Sequence, residues 1–555
     1  MITLLFNIIL TNSIIFSFGA LLSIIFFNKK ASKENISELP IFGVIFLSFI
    51  TLIINFFFPI NKLVGTLILI SGLLFFIKVI INNFYNNKKI LKNIFISSVI
   101  SFLILLYSNI YRPDAGLYHL PFISIINENK IIIGLANIHF RFATTSIVQY
   151  LSASQNNYIY NLEAISIPLA SIFSFSIIFF VREIFKNIKK KKNVNSILIF
   201  LISIFCLLGF GRFSNYGNDA ISHLYFFTLI IFITNNYYSL KLDNIKLNKI
   251  SLISIFLFTT KAFMFLIILI PFWFFLFLKN KKELFKNKFF YLNCIFLLTW
   301  ILKSIIISGC IIYPIDKTCF KNLKIYDDKK IVIEAKSGEA WAKGWSDQKD
   351  TILNFDDYNQ NFNWMSTWKK VHLKKVVEKL LPFMIFLIIF FIVLIIQDKS
   401  NYDKLPNEIN FIFFTSTFLT LIWFLKFPLY RYGVAFIATA IMVIFIYLIY
   451  LFQLTPKTNN LLKNFKVFIC ICVIAFVAKN FLRINQNLFK FSNNMWPNIY
   501  SVKNDYKLIK GDDKEDLYYF SFGELCMYSK SPCSHYDIKN LNKELFFSYN
   551  LYWID

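Results

Sequence analysis

Two aspartates and a short set of arginines carry most of the chemistry this sequence could perform. In YRPDAGLYHLP, Tyr111 to Pro121, Asp114 follows Pro113 and precedes Gly116, directly after the apolar run ISSVISFLILLYSNI. Ionisable groups beside lipid are costly, so a carboxylate kept there calls for a use. In a turn its side chain is free to act as a general base. The plain alternative, and the better reading of this residue taken alone, is an N-cap for a helix starting at Ala115. Asp219, in GRFSNYGNDAISHLYFF, repeats the arrangement, with Arg212 before it and His223 after it.

The arginines are Arg112, Arg141, Arg182, Arg212, Arg431 and Arg483; elsewhere the chain uses lysine. Arginine offers a planar fork that grips phosphate or carboxylate with two hydrogen bonds and does not release its proton. A pocket for an anionic group would need that fork. The plain alternative is snorkelling to headgroups or pairing with nearby acids, as Arg112 could with Asp114. Arg431, in WFLKFPLYRYG, is the best phosphate candidate because a short turn containing Pro428 fixes its place, and Arg483 is the weakest. A metal around these acids and His119, His139 and His223 is not favoured, since their spacing matches no standard motif. A divalent metal is the one cofactor these residues leave open, and it is not the favoured reading.

The elements that must position these groups are apolar spans. The chain has 555 residues, 57% of them hydrophobic and 19% aromatic, with mean hydropathy +0.58. That leaves too little polar surface for a soluble globule. The net charge of +27 sits largely in short lysine loops between apolar runs, as topology signals do, and does not point to nucleic acid. Lysine, asparagine, isoleucine and phenylalanine dominate throughout, as in the product of an AT-rich genome. The first apolar run is too long for a signal-peptide core and is expected to stay as a spanning helix.

The fold expected is an all-α polytopic membrane protein of about 12 to 14 spans of ordinary or shortened length. The segment Ser251–Leu278 has lysine loops on both flanks, KLDNIKLNK and KNKKELFKNK, which places both on one side. A broken or short helical hairpin turning near Thr260 and Lys261 satisfies this. The expected divisions are N-terminal helices over 1–92, a core over 93–306 with a first outer loop at 111–159, an outer module over 307–376, further spans over 377–482, and an outer tail over 483–555. In this topology every arginine except Arg182 lies on the outer side, against the usual bias.

The cysteines agree with that arrangement. Cys310 and Cys319 in SGCIIYPIDKTCF, and Cys526 and Cys533 in CMYSKSPC, fall in the two outer modules, where an oxidising compartment permits disulfides. Cys206, Cys294, Cys470 and Cys472 lie in apolar runs, where a thiol behaves as a small hydrophobe.

An acid just after a helix, Asp114, a tyrosine four residues on, Tyr118, and a long loop resemble the GT-C superfamily of polytopic glycosyltransferases, protein O-mannosyltransferases and lipid A aminoarabinose transferases above all. The threonine-lysine pair at Lys261 in TTKAFMFLIILIP is similar to one those enzymes carry at a broken helix. Ala115 stands where an acidic doublet is common in them. More closely, YRPDAGLYHLPFI, GLANIHFRFA, SGCIIYPIDKTCF and FPLYRYG together resemble an uncharacterised family of bacterial polytopic membrane proteins.

What the distant resemblance implies is transfer of a sugar from a polyprenyl-phosphate donor to an envelope acceptor, on the outer face of the bacterial inner membrane. Asp114 would be the base, and Arg431, Lys261 and Arg212 would hold the phosphate, with Arg112, Tyr118, His119, Arg141 and Asp219 around them. The alternatives are an O-antigen ligase or polymerase, and a lipid-linked glycan flippase or transporter. A transporter should carry its ionisable residues near midplane; this chain gathers them at one face.

Overall fold

A computed structural model describes residues 2–27, 35–82, 86–108, 114–209, 213, 216–345, 354–397, 405–454, 456–488, 495–496, 506–511, 516–522 and 525–555. Four helices, α1 (Ile2–Phe26), α2 (Leu39–Phe57), α3 (Lys62–Asn82) and α4 (Asn87–Leu105), lead into a loop holding the short α5 (Leu120–Glu128) and α6 (Val148–Ala153). Next come α7 (Ile167–Lys189), α8 (Asn193–Leu208), α9 (Asp219–Asn236), α10 (Asn244–Thr260), α11 (Leu269–Leu276), α12 (Lys281–Phe285) and α13 (Lys288–Ser308). A second loop carries α14 (Asp328–Ala342), α15 (Phe355–Asn359) and α16 (Met365–Trp368), ahead of α17 (Lys374–Ile395), α18 (Asn407–Lys426), α19 (Tyr430–Leu451) and α20 (Thr458–Leu488).

Among the described residues, 9 helices are long and apolar enough to cross a bilayer. They make the chain a helical, multi-pass membrane protein. Helices α4, α8, α9 and α10 and the segment Ala262–Leu276 are shorter or less apolar, yet run between the same two ends. One end is marked by Lys249 paired with Glu38 at 2.9 Å, by Asn195 donating to Glu408 at 3.2 Å, and by Asn235 donating to Glu183 at 2.7 Å. The other end gathers the first and second loops and the C-terminal tail.

The expected hairpin is present. Helix α10 stops at Thr260, Lys261 is extended, and a 3₁₀ stretch, Ala262–Ile268, continues into α11. The chain returns to its starting end, where the amide of Lys279 donates to the carbonyl of Lys241 at 3.1 Å. Both lysine loops therefore meet at one end of the bundle.

Helix α1 is central, packed by α2, α3, α4 and α7. Lipid tails supply no hydrophobic drive between helices, so close approach and polar contacts hold such bundles together. Where α1 crosses α2, a methyl on Gly19 would lie 1.8 Å from the Leu39 carbonyl oxygen, and one on Gly43 would lie 1.9 Å from that of Ile15. The amide of Asn12 on α1 donates to Ser98 at 2.9 Å and to Ser97 at 3.2 Å, both on α4. Such bonds contribute about 0.6 kcal/mol each on average. Helices α3, α17 and α20 leave most of their apolar surface outward, as lipid-facing helices do.

The expectation of helix alone holds for the bundle and not for the tail. Strands β1 (Tyr506–Lys510), β2 (Asp516–Ser521) and β3 (Cys533–Ser534) form one small sheet, and β4 (Leu541–Phe546) and β5 (Tyr549–Ile554) form a hairpin. The tail docks on the first loop: Ile133 bridges to Leu551, and the amide of Met527 donates to the Gly116 carbonyl at 2.8 Å. The first loop itself is largely buried rather than solvated, with Ile147, Val148, Gln149 and Leu151 fully enclosed.

Candidate functional site

Asp114 precedes a turn of π-helix, Ala115–His119, and its carboxylate makes no capping bond to it. It accepts instead from Nη1 of Arg431 at 2.7 Å. The capping alternative thus gives way to an ion pair between the first loop and α19.

Arg431 is held by the turn before it. The indole of Trp368 donates to the Pro428 carbonyl at 2.8 Å, and that of Trp423 donates to the Leu429 carbonyl at 2.7 Å. These bonds fix the FPLY segment and so the direction in which the α19 N-terminus presents its second residue. The guanidinium also donates from Nη2 to the Tyr432 hydroxyl at 3.2 Å and lies 5.3 Å from the centre of the Trp341 ring. Its buried Nε has no hydrogen-bond partner among the described residues.

The second aspartate completes the cluster. Asp219 opens α9, with Oδ1 2.8 Å from Nζ of Lys261 at the broken helix and Oδ2 3.9 Å from Nε of Arg431. Asp114, Arg431, Asp219 and Lys261 thus form an alternating row of charges drawn from four separate segments. None is sealed off: their side chains are 33%, 30%, 22% and 15% exposed in that order.

Tyr118 and His119 line the same place from the π-turn. The guanidinium of Arg141 sits 5.2 Å from the centre of the Tyr118 ring, a cation–π arrangement. Nδ1 of His119 faces two amide donors, Asn218 at 3.3 Å and Gln149 at 3.4 Å. It is therefore the accepting nitrogen of a neutral ring.

The electrostatics follow from burial and these neighbours. Burial pushes the Asp114 carboxyl up, but Arg431, then His119 and Arg141, outweigh it and hold the group below its ordinary value. Burial, reinforced by Lys261, lowers His119 to about 3. The Tyr118 phenol is pushed up to about 12, first by burial. The loop thus offers an ionised carboxylate beside a neutral imidazole and a neutral phenol.

Of the residues singled out in the sequence, Asp114, Tyr118, His119, Arg141, Asp219, Lys261 and Arg431 converge here. Arg112 and Arg212 lie outside the described residues. Arg483 is elsewhere, donating to the Leu103 and Leu106 carbonyls at the end of α4 at 2.7 and 3.0 Å. His139 is buried against His535 of the tail rather than facing the row. His223 reaches it indirectly, with Nε2 2.7 Å from the Arg431 carbonyl oxygen. Among the described residues no group of three His, Cys, Asp or Glu side chains is gathered to hold a metal ion. Cys310 is bonded to Cys319 and Cys526 to Cys533.

Tyr432 and Trp341 are site neighbours that the sequence reading missed. Tyr432 had a usable signal, its place beside Arg431 at a helix start. Trp341 lies in α14, 90 residues away, and only the fold brings it near.

Two cations flanked by two carboxylates can hold a phosphate in exchange for their present partners, and a carboxylate released from its arginine can accept a proton. No curated protein and no solved structure matches the chain. A family model does match, over residues 1–438, a range that contains every member of the charged row: the chain belongs to the family described as a domain of unknown function, DUF8201.

Proposed function

We propose that the chain is a membrane glycosyltransferase that moves a sugar from a polyprenyl-phosphate donor to an envelope acceptor, a glycan, lipid or protein, on the outer face of a bacterial inner membrane. The observation that carries the reading is the row Asp114, Arg431, Asp219 and Lys261 at one end of an apolar bundle. A lipid-linked substrate needs this combination: apolar surface for the tail and fixed cations at the membrane boundary for the phosphate.

In the proposed step, Asp114 takes the proton of the acceptor hydroxyl as its oxygen attacks the anomeric carbon. The bond from that carbon to the phosphate oxygen breaks, and the electron pair leaves with the phosphate. Arg431 and Lys261 neutralise the charge that grows there, which is where preorganised cations contribute most. Attack opposite the leaving group inverts the anomeric centre. The gathering of charge at one end, rather than at midplane, supports an enzyme over a transporter.

The test is transfer from a radiolabelled polyprenyl-phosphate sugar in membrane vesicles. Wild-type chain should transfer label and Asp114→Asn should not. Normal transfer by Asp114→Asn at equal expression removes Asp114 as the base, and no transfer by the wild type from any such donor removes the reading.

A further inference from the structure

The β4–β5 hairpin breaks two local rules at its tip. Its two-residue turn is Phe547–Ser548, with φ of 44° and 69°. Left-handed backbone at both positions is where Asn-Gly or Asp-Gly is the usual choice. A bulky aromatic there is strained, and strain of this kind persists where the surroundings use it. The tip is also apolar and outward: Leu545, Phe546 and Phe547 are 74%, 50% and 83% exposed. Three consecutive exposed apolar side chains on a turn would be a liability in water.

The place of the tip says what covers it. The hydroxyl of Tyr549 donates to the carbonyl of Phe56 at 2.9 Å, in the last turn of the spanning helix α2. This contact sets the hairpin beside the level at which α2 leaves the bilayer. Phe57 and Phe58, just beyond, are exposed. At the same end of the neighbouring span α3, Tyr158 is exposed, with its amide bonded to Thr66. Beside the turn, Lys130 donates to Ser548 at 3.3 Å, a cation at headgroup height. Aromatic side chains ringed by a lysine at the ends of spans form an interfacial belt.

We propose that the tip of the C-terminal hairpin is a lipid anchor: Phe546 and Phe547 enter the leaflet at this end of the bundle, continuing the belt of α2 and α3, with Lys130 at the phosphates. The occupant is the bilayer, because the patch is continuous with surface that already faces lipid. The anchor ties the tail to the membrane beside the first loop, to which β5 is bridged at Ile133. It holds whatever reaction the charged row performs.

The test uses the full chain in vesicles of phosphatidylethanolamine and phosphatidylglycerol, with the photoreactive p-benzoylphenylalanine at Phe547. The same residue at Leu74, exposed on α3, is the positive control for reaction with lipid. The expected result is a C-terminal peptide heavier by one phospholipid, as for the Leu74 peptide. A lipid adduct at Leu74 with none at Phe547 puts the tip in water and overturns the proposal. A crosslink from Phe547 to a second copy of the chain, or to another protein in native membranes, in place of lipid, overturns it equally.

Discussion

Arg431 and Asp114, 317 positions apart in the chain, meet with Nη1 2.7 Å from Oδ2. The same guanidinium turns its Nε towards Asp219 at 3.9 Å, so one cation is shared by two carboxylates. A lysine could not do this, because a single ammonium has neither the planar fork nor the reach. In transfer assays Arg431→Ala should lose about 10²- to 10³-fold, the range for removing one preorganised charge. Arg431→Lys should recover little of it. Asp114→Asn combined with Arg431→Ala should be scarcely worse than the worse single variant, since the two act as a unit. Simple multiplication of the two losses would show that they work independently.

The pair also fixes a pH dependence. In Asp114 burial raises the carboxyl, and Arg431 is the largest influence that lowers it, the balance falling below the ordinary value. The native carboxyl therefore half-titrates below about pH 4, the ordinary carboxylate value, and the ionised form is lost as pH falls through that lower native value. In kcat/KM, which reports the free chain with the pair intact, the midpoint of the acid limb from Asp114 should lie below about pH 4. Replacing Arg431 with glutamine leaves burial opposed by weaker neighbours, so the limb should move up towards neutrality in whatever activity remains. An acid limb at the same pH in both proteins would exclude Asp114 as the titrating base.

The row was legible in the sequence because each member broke a bias. Asp114 and Asp219 are acids at the ends of apolar runs, Arg431 is an arginine where this chain writes lysine, and Lys261 sits where loop charge demanded a turn. The hairpin and the two disulfides were legible for the same reason, through the side on which lysines and cysteines fall. What stayed hidden depends on distance or on a masked signal. Trp341 reaches Arg431 only through the fold. The strands of the tail carry no alternation strong enough to stand out among so many apolar residues. Lys303, inside the run WILKSIII, was invisible because lysine is so frequent here that one more carries little information.

His119 gives a separate stability prediction. Burial first, then Lys261, lowers it to about 3, whereas an unfolded histidine takes up its proton near 6.5. Between those values the unfolded chain binds more protons, so stability rises with pH across the window. The contribution is complete above about pH 6.5 and erodes on acidification by at most about 1.4 kcal/mol per pH unit. His119→Asn in detergent should therefore lose much of the pH dependence of the unfolding midpoint between about pH 4 and 6.5. An unchanged slope would mean that the imidazole is protonated in the native state.

Lys303 tests a different kind of burial. It is fully enclosed in α13, donates to the Thr145 hydroxyl at 3.0 Å, and lies 4.4 Å from the centre of the Trp300 ring. An apolar residue of similar length removes the cost of enclosing an amine, so Lys303→Met should be neutral or stabilising. Thr145→Val leaves the amine without its acceptor and should destabilise by about 1–3 kcal/mol. Thermal unfolding in detergent distinguishes the two. If Lys303→Met is the worse variant, the amine has a role beyond packing.

Gly134 is where the tail meets the bundle. Its φ of 71° is left-handed, its amide donates to the Ile306 carbonyl at 2.9 Å, and a methyl on it would lie 2.0 Å from the Tyr552 carbonyl oxygen. The backbone of β5 cannot yield there without losing the bridge between Ile133 and Leu551. Gly134→Ala therefore costs about 1–2 kcal/mol for the left-handed backbone alone, plus whatever the separation of the strand releases. The first element to loosen should be the tail, so limited proteolysis of Gly134→Ala should remove residues beyond α20 while the spans stay protected. Gly338, inside α14, has nothing within 4 Å of an added methyl. Gly338→Ala should be stabilising by about 0.5–1 kcal/mol, as for alanine in a helix, and leave the digestion pattern of the wild type. Equal resistance of the two alanine variants would mean that β5 is not seated against Gly134, and that the tail owes its position to the contacts at Gly116 and Phe56 instead.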